Sequence, residues 1–225
     1  MIAEMKKRQP IGILALQGSF LEHALAVEKT GAQAVLVRLP KDLEGVKGLI
    51  IPGGESTTIS KLLDAYNLTD IIRNLALRGF PLYGTCAGMI LLSKKIENSN
   101  ADLSRVNSLS LIDITIRRNA FGRQLESFEE ELDMPVIGKR PFHAIFIRAP
   151  LILQVGSSVR ILASLKDNSQ HNLQGKQIVA VEQGAILVTA FHPELTDDLR
   201  IHRYFLEKVK KYARQKNDLI VNSFI

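Results

Sequence analysis

Short apolar runs alternate with amphipathic stretches along the first 95 residues of the chain. The apolar runs are residues 11–16, 34–39, 48–51 and 81–84. The helical stretches are residues 20–30, a long region that follows Gly54 and runs through Arg78, and residues 86–95. Runs this short are typical of buried strands, and their alternation with helices predicts a mainly parallel sheet covered on both faces.

The second half of the chain has a different pattern. Apolar runs recur there with few helices between them, at residues 111–116, 142–148, 159–165, 177–181 and 185–191. Gln183 and Gly184 predict a hairpin turn between the last two runs. We therefore predict one three-layer α/β domain over residues 1–225, in which the later strands make the sheet mixed. The polar stretch 97–110 predicts a loop rather than a domain boundary.

The formal charge of +6 is concentrated in one predicted helix. Residues 200–216 hold seven basic residues and one acidic residue, so the rest of the chain is balanced. Apolar residues such as Ile201, Phe205 and Val209 recur there with helical spacing. The basic face of this C-terminal helix is either solvated or a docking face for an acidic partner. One such face is a weak signal for nucleic-acid binding, so we predict no nucleic-acid partner.

The start of the chain is polar and basic, at Lys6, Lys7 and Arg8. The apolar run that follows it has six residues, which is too short for the hydrophobic region of a signal peptide. No apolar run approaches the roughly 18 residues that a membrane helix needs. With a single cysteine and therefore no disulfide pair, the sequence predicts a cytoplasmic protein without a membrane partner.

Cys86 excludes an intramolecular disulfide framework and a cysteine-based zinc cluster, because it is the single cysteine. It lies between a predicted strand and a predicted helix, with Gly84 and Gly88 on either side. This is the cysteine form of a nucleophile elbow, in which the helix N-terminus stabilises a thiolate and the N–H of Ala87 can bind an oxyanion. A buried, inert cysteine is the alternative interpretation.

A thiolate nucleophile needs a base that can also protonate the leaving group. His192 directly follows a predicted strand, and Glu194 comes two residues later, beyond Pro193. Proline stiffens this turn, so both side chains can face one pocket, where the carboxylate would fix the imidazole tautomer. A histidine beside a proline is also a common turn residue, and it is the pairing with Cys86 that favours the catalytic interpretation.

The segment PGGESTT, residues 52–58, follows a strand and opens a helix. A phosphate-binding loop of the Walker type is disfavoured, because no lysine precedes Ser56 and Glu55 would repel phosphate. The alternatives are a Gly-Gly turn that supplies a second oxyanion donor, with Ser56 or Thr57 as the helix cap, and a plain capped turn. We expect this loop, the cysteine loop and the histidine loop to meet at the carboxyl ends of the strands.

Together these residues resemble the class I, triad-type glutamine amidotransferases, and in particular the glutaminase subunits of the two-subunit pyridoxal 5'-phosphate synthases. The resemblance rests on LALQG at 14–18, EH at 22–23, GLIIPGGESTT at 48–58, RNAFGRQ at 118–124, FIRAP at 146–150 and FHPELT at 191–196. It extends from Leu14 to about Arg200, which is most of the chain. It implies a flavodoxin-like α/β fold with a mainly parallel mixed sheet flanked by helices.

The resemblance also implies the roles of individual residues. The catalytic triad would be Cys86, His192 and Glu194, with oxyanion donors at Gly54 and Ala87. The residues that it places around L-glutamine are Gly54, Glu55, Ser56, Arg118, Ile147 and Arg148. Arginine suits the substrate carboxylate because its guanidinium binds carboxylates in a bidentate fork. The sequence leaves open which arginine contacts glutamine, and a structural salt bridge is an alternative for Arg148.

The implied reaction releases ammonia from glutamine and passes it to a separate synthase subunit, which joins it with a pentose phosphate and a triose phosphate to make pyridoxal 5'-phosphate. Such chains are poorly active until this partner docks. No cofactor or metal is implied, since pyridoxal phosphate is the product of the complex. Residues 1–9 are an N-terminal extension relative to the family and residues 217–225 a C-terminal tail, while 97–110 and 134–141 carry extra residues.

Two rival hypotheses remain open at this point. One is a cysteine peptidase or stress protein of similar fold, in which a histidine commonly follows the nucleophile; here Ala87 follows Cys86. The other is a non-catalytic partner that keeps the amidotransferase fold and docks through its basic helix. The intact Cys86, His192 and Glu194 argue against it.

Overall fold

The structure is a computed structural model that describes residues 9–97, 106–118, 127–165 and 177–222, with side chains through residue 214. The helices are α1 (Phe20–Lys29), α2 (Ser56–Ala65), α3 (Thr69–Leu77), α4 (Ala87–Leu92) and α5 (Arg200–Asn222). The first six strands are β1 (Pro10–Leu14), β2 (Gln33–Val37), β3 (Leu49–Ile51), β4 (Leu82–Thr85), β5 (Ser93–Glu97) and β6 (Ile112–Arg117). The others are β7 (Ser127–Leu132), β8 (Phe142–Ile147), β9 (Leu151–Val155), β10 (Arg160–Leu165), β11 (Gln177–Gln183) and β12 (Ile186–Thr189).

Ten strands form one mixed sheet. Its main path runs β2-β1-β3-β4-β12-β11-β9-β6-β5, and β10 pairs with β11. The five strands from β2 to β12 pair in parallel, whereas the pairs that follow, β12 with β11, β11 with β9 and β9 with β6, are antiparallel. β7 and β8 form a separate antiparallel pair. The predicted α/β fold is therefore confirmed, including the change from parallel to antiparallel pairing in the second half.

Burial explains why the central strands read as continuous apolar runs. β3 and β4 are buried at every position, as parallel strands covered on both faces are. The core extends onto α5, where Ile201, Phe205 and Val209 are fully buried. The predicted apolar stripe of the basic helix thus packs inward. Part of its basic face is used within the fold, since Lys208 Nζ lies 2.6 Å from Glu182 Oε2.

Two helix predictions are wrong in extent. The single long helix through Arg78 is divided into α2 and α3, because Asn67 adopts a left-handed conformation with φ of 57° between them. The helix predicted over residues 86–95 ends at Leu92, and the chain continues as β5, which pairs with β6. β7 and β9 were not predicted; β7 is a strand of mostly exposed polar residues, SFEEEL, stabilised by pairing with β8.

The structure describes part of the predicted N-terminal extension, of the predicted loops and of the C-terminal tail. All but the last residue of the extension 1–9 lies outside the described residues, as does most of the loop 97–110. α5 continues to Asn222, so most of the tail 217–225 is helical. In the stretch 134–141 the chain forms a short 3-10 helix, Pro135–Ile137. The predicted hairpin is confirmed, but its turn lies one residue later, at Gly184 and Ala185, because Gln183 ends β11 and pairs with Ile186.

Candidate active site

Three loops meet where neighbouring parallel strands end. β3, β4 and β12 lie side by side in the sheet, and each is followed by one of the segments singled out in the sequence. The loop after β3 carries Gly53 to Ser56, the residue after β4 is Cys86, and the loop after β12 carries His192 and Glu194. Carboxyl ends of parallel strands are the usual ligand-binding edge of α/β sheets. The expectation that these loops converge is therefore confirmed.

Cys86 has the strained backbone of a nucleophile elbow. Its φ of 48° and ψ of −100° are unfavourable for a residue with a side chain, and its N–H is held by the carbonyl of Thr189 at 2.8 Å. The flanking glycines permit close packing: a Cβ on Gly88 would lie 2.0 Å from the carbonyl oxygen of Ile51. The thiol lies 3.8 Å from the carbonyl oxygen of Ile147, and α4 starts at the next residue.

His192 is held from both sides. Its backbone N–H donates to the carbonyl of Ile145 on β8 at 2.9 Å, and its Nδ1 lies 2.8 Å from Glu194 Oε1. Burial disfavours the imidazolium, yet hydrogen bonds to Cys86 and Glu194 raise the pKa of His192 to about 10. The ring is therefore set to carry a proton at neutral pH.

Glu194 is buried behind the imidazole, and its carboxylate has partners from distant segments. Its Oε1 accepts a hydrogen bond from Ser19 Oγ at 2.6 Å in addition to the one from His192. Its Oε2 lies 3.3 Å from His23 Nε2. Burial opposes ionisation, but His23, His192 and Ser19 hold the pKa of Glu194 at about 2, so it is a carboxylate at neutral pH.

The Gly-Gly turn packs directly on the imidazole. A Cβ on Gly53 would lie 2.3 Å from His192 Cε1 and 3.4 Å from Cys86 Cβ. The carbonyl of Gly53 accepts the N–H of Ser19 at 3.1 Å. In a trans peptide the carbonyl and the following N–H point in opposite directions, so the Gly54 N–H points away from Ser19. Gln17 supports the same turn, since its Oε1 accepts the N–H of Glu55 at 2.7 Å.

Glu55 is the N-cap of α2, which corrects the expectation that Ser56 or Thr57 caps this helix. Its carboxylate accepts the N–H of Thr57 at 2.9 Å, and the N–H and hydroxyl of Thr58, each at 2.6 Å. Partial burial opposes ionisation, but these hydrogen bonds lower the pKa of Glu55 to about 2. Ser56, the first residue of α2, is buried. A fixed negative charge thus stands beside the Gly-Gly turn.

Arg118 lies next to this charge. Its guanidinium Nη2 is 3.7 Å from Glu55 Oε1 and 3.5 Å from Thr57 Oγ1, and its side chain is largely buried. The structure therefore brings Arg118 to the loop with which the sequence grouped it. The rest of its motif, residues 119–124, lies outside the described residues.

Ile147 is the last residue of β8, and Arg148 follows it. The carbonyl of Ile147 faces the thiol, as described above, and its side chain is exposed. Arg148 has a left-handed backbone with φ of 42°, and its side chain is exposed. Within the described part of the chain it forms no ion pair, so the alternative of a structural salt bridge at Arg148 gains no support.

Sequence reasoning did not assign Ser19, His23 or Gly53 to the site, although all three lie against the side chain of His192 or Glu194. Two of them carried a signal in the sequence. The pair Glu22-His23 was part of the resemblance, and Gly53 stood in the segment PGGESTT. Nothing near Ser19 in the sequence points to a carboxylate 175 positions away.

Across the described ranges, no helix is long and apolar enough to cross a membrane. Within the same ranges, no group of three or more His, Cys, Asp or Glu side chains could hold a metal ion.

The fold and the arrangement of these loops define the class of protein. A crystal structure of a glutamine amidotransferase superposes with a TM-score of 0.79 at 45% identity, over 89% of this chain and 98% of that one. The structure of PurLQS from Thermotoga maritima shares the fold at a TM-score of 0.62, with 15% identity over 89% of this chain and 98% of that one. The model of the SNO glutamine amidotransferase family matches residues 13–211, so the chain belongs to that family.

Two curated relatives are similar over most of their length. The "Pyridoxal 5'-phosphate synthase subunit PdxT" of Carboxydothermus hydrogenoformans is 51% identical over 89% of this chain and 98% of its own. The protein of the same name from Herpetosiphon aurantiacus is 53% identical over 87% of this chain and 98% of its own. The resemblance in the sequence is thereby confirmed, and the chain is an enzyme of the glutamine amidotransferase class.

Proposed function

We propose that this chain hydrolyses L-glutamine to glutamate and ammonia, and that it delivers the ammonia to a synthase subunit that makes pyridoxal 5'-phosphate. The relatives' name, synthase subunit, supports the second half of this proposal. The observation that carries the first half is that Cys86, strained at the tip of β4, and His192, whose Nδ1 lies 2.8 Å from Glu194, pack against the same glycine, Gly53.

In the proposed reaction the Cys86 thiolate attacks the side-chain amide carbon of glutamine. His192, protonated at neutral pH, gives its proton to the amide nitrogen as the C–N bond breaks, so ammonia leaves and a glutamyl thioester remains. The neutral imidazole then takes a proton from water, whose oxygen attacks the thioester. Glutamate is released and the Cys86–His192 pair returns to its starting state.

Charge on the tetrahedral intermediate requires hydrogen-bond donors at the substrate oxygen. Ala87 is the first residue of α4, where a backbone N–H has no acceptor within the helix. The Gly54 N–H is the second donor that we propose, on the turn that packs against Cys86. The proposed oxyanion site therefore consists of backbone groups from the loops after β3 and β4.

Glutamine recognition requires a cation for the substrate carboxylate and acceptors for its ammonium group. We assign the carboxylate to Arg148, whose side chain forms no ion pair within the described residues, with Arg118 on the opposite side. Glu55 supplies negative charge for the ammonium group, although its oxygens also cap α2. Gly54, Ser56 and Ile147 would line the space between these charged groups.

The synthase partner follows from the chemistry of the product. At neutral pH free ammonia is mostly ammonium and would diffuse away, so a glutaminase of this kind is useful only beside an enzyme that consumes ammonia. The family match spans residues 13–211, and the relatives carry the name of one subunit of a synthase. The consumer is therefore proposed to be a separate subunit.

The test compares Cys86→Ala with the wild-type chain, each assembled with a purified synthase subunit, by the release of glutamate from glutamine. We expect the variant to lose at least about a thousandfold in kcat, because no other group can form the thioester. An electrophilic glutamine analogue should label Cys86 in the wild type. Wild-type turnover in Cys86→Ala would overturn the mechanism, and a wild-type complex without turnover or labelling would favour a non-catalytic subunit.

A further inference from the structure

Two buried histidines stand behind Glu194, and the proposed mechanism uses neither. His23 on α1 has no solvent exposure, and His202 on α5 is 1% exposed. His23 Nε2 lies 3.1 Å from Thr85 Oγ1 and 3.3 Å from Glu194 Oε2, while its Nδ1 lies 3.1 Å from His202 Nε2. The two rings therefore continue the line of polar groups that starts at Cys86 and runs through His192 and Glu194.

Two atoms of this line have no hydrogen-bond partner of good geometry in the described structure: Glu194 Oε2 and His202 Nδ1. His23 Nε2 lies 3.3 Å from Glu194 Oε2, so an N–H on this nitrogen is close enough to attract the carboxylate. Oε1 of the same carboxylate already accepts from Ser19 and His192. His23 is thus the group on which the second oxygen of the buried carboxylate depends.

The unpaired atoms also decide which nitrogen of each ring carries hydrogen. If His23 carried its hydrogen on Nδ1, a bare Nε2 lone pair would face the anionic oxygen of Glu194. His202 would then have to accept at Nε2, which would leave a buried N–H on its Nδ1 without a partner. Orphaned buried N–H groups are rarer than orphaned acceptors. We therefore assign hydrogen to Nε2 of both rings, so that His202 donates to His23 and His23 points its N–H at Thr85 and Glu194.

Both rings are neutral in this arrangement. Burial lowers the pKa of His23, outweighing the nearby charge of Glu194, and the charge of His192 acts in the same direction as burial. Burial also lowers the pKa of His202 to about 3. The remaining titratable neighbours are Glu22 on α1 and the phenol of Tyr83 on β4, whose pKa burial raises well above its usual value. Around neutral pH the ring pair is therefore a fixed dipole rather than a titrating switch.

We propose that His23 is a positioning residue: its Nε2–H, fixed by the hydrogen bond from His202, holds the carboxylate of Glu194 in the orientation that binds the His192 imidazolium. This role rests on the proposed catalytic triad and extends it to α1 and α5. It explains a histidine that is fully buried yet far in sequence from the catalytic residues. Without His23 the 3.3 Å contact at Oε2 would be lost, and the carboxylate would be held through Oε1 alone, by Ser19 and His192.

The decisive variants are His23→Leu, which removes the donor, and His23→Gln, whose amide N–H reaches the position of Nε2. The exposed His143, bonded to Glu129 and Glu131 on the separate β7–β8 pair, provides the matched control His143→Gln. In the complex with the synthase subunit we expect His23→Leu to lower kcat about tenfold with KM within about twofold, and His23→Gln to recover most of the loss. His143→Gln should retain wild-type kcat.

A second measurement follows alkylation of Cys86 by iodoacetamide against pH, in the full-length chain. Iodoacetamide reacts with the thiolate, and a less firmly held Glu194 stabilises the His192 imidazolium less. We expect the pH of half-maximal alkylation to rise by about 0.5 unit in His23→Leu and to stay at the wild-type value in His23→Gln and His143→Gln. A purely structural role for His23 would leave this midpoint where it is.

Wild-type kcat and alkylation midpoint in a folded His23→Leu would overturn the proposal. So would equal losses in His23→Leu and His23→Gln at wild-type melting temperatures, because the ring would then matter for packing alone. If His23→Leu does not fold, His202→Leu replaces it, and a wild-type midpoint in that variant overturns the proposal. Cys86→Ala distinguishes a failure of the proposed mechanism from a failure of the proposed role of His23. If Cys86→Ala keeps wild-type turnover, the catalytic mechanism is wrong, whatever the His23 variants show.

Discussion

The two sides of the candidate site differ in how much of their geometry is already in place. Cys86, His192 and Glu194 are each 7% exposed, and the carboxylate of Glu194 has three side-chain neighbours, His192, Ser19 and His23. On the side that we propose binds glutamine, Ile147 is 37% exposed, and Arg148 is exposed without an ion pair in the described residues. The side chains that we propose for proton transfer are thus held by buried contacts, whereas two of those that we propose for substrate recognition, Ile147 and Arg148, are exposed.

The largest effect is expected at Gly53, where the Gly-Gly turn packs against the buried imidazole of His192. In Gly53→Ala the new Cβ would lie 2.3 Å from His192 Cε1, so the ring must move. Since a displacement of about 1 Å can cost about a hundredfold in rate, we expect kcat to fall by about that factor with the synthase partner bound. Glutamate release measures it.

The control for this prediction is Gly31→Ala. Gly31 has a positive φ of 89°, and a Cβ there meets nothing within 4 Å. We expect it to lower stability by up to about 1 kcal/mol while leaving kcat at the wild-type value. Equal kcat in Gly53→Ala and wild type would mean that His192 is not held against the turn in the working enzyme.

Glu194→Gln tests the buried side through the dependence of protein stability on pH. The pKa of Glu194 is about 2 in the folded protein, below the 4.5 of an ordinary glutamate, so its ionised form stabilises the fold above pH 4.5 and this contribution is lost as pH falls towards 2. We expect the variant to be about 2 kcal/mol less stable than wild type at pH 7, with the gap narrowing below pH 4.5. Urea unfolding between pH 3 and 7 measures this difference.

The matched control here is Glu207→Gln, which removes an exposed carboxylate paired with Lys210 on α5. An exposed pair of this kind contributes at most about 1 kcal/mol. A gap for Glu194→Gln that does not change with pH would show that its charge does not contribute to stability.

Arg148→Ala tests the open side. The loss of a bidentate carboxylate contact should raise the KM for glutamine about tenfold with kcat within about twofold, because the contact is made equally in ground state and transition state. Arg160→Ala provides the control, since Arg160 pairs with Glu182. A fall in kcat at unchanged KM would contradict this role and would show that Arg148 acts in the transition state rather than in substrate binding.

The smallest effect is expected at Glu55, which belongs to the fold and to the proposed substrate site. Glu55→Ala removes the cap of α2 and should cost about 1 kcal/mol of stability, measured by urea unfolding. Glu55→Gln keeps one capping oxygen, so it should regain part of that stability but still raise KM. A wild-type KM in Glu55→Gln would show that the negative charge of Glu55 does not contribute to binding of the substrate ammonium group.

The strand pattern was predictable where strands are short, apolar and buried on both faces. β3 and β4, which position the Gly-Gly turn and Cys86, are of this kind. The sequence did not predict β5. The apolar residues that precede it, through Leu92, continue the helical pattern, and the strand conformation of β5 depends on pairing with β6. The break at Asn67 had a local signal, since asparagine tolerates the left-handed conformation better than most residues.

The site was predictable wherever neighbouring residues carry it. The spacing of Gly84, Cys86 and Gly88 and the sequence His-Pro-Glu pointed to the candidate nucleophile and base, because strained turns and helix starts depend on local sequence. The cap of α2 was assigned to the wrong residue, since Glu55, Ser56 and Thr57 are all able to accept a backbone N–H.

By itself the sequence determined the class of fold, the family and the loops that carry the chemistry, since these follow from periodicity and from local motifs. Tertiary structure alone decided what surrounds Glu194. Ser19 donates to it across 175 positions, and His23 and His202, which lie 179 positions apart, meet behind it. The physical reason is that hydrogen bonds between distant segments depend on the order of strands in the sheet and on how α1 and α5 pack together, and no local pattern encodes either.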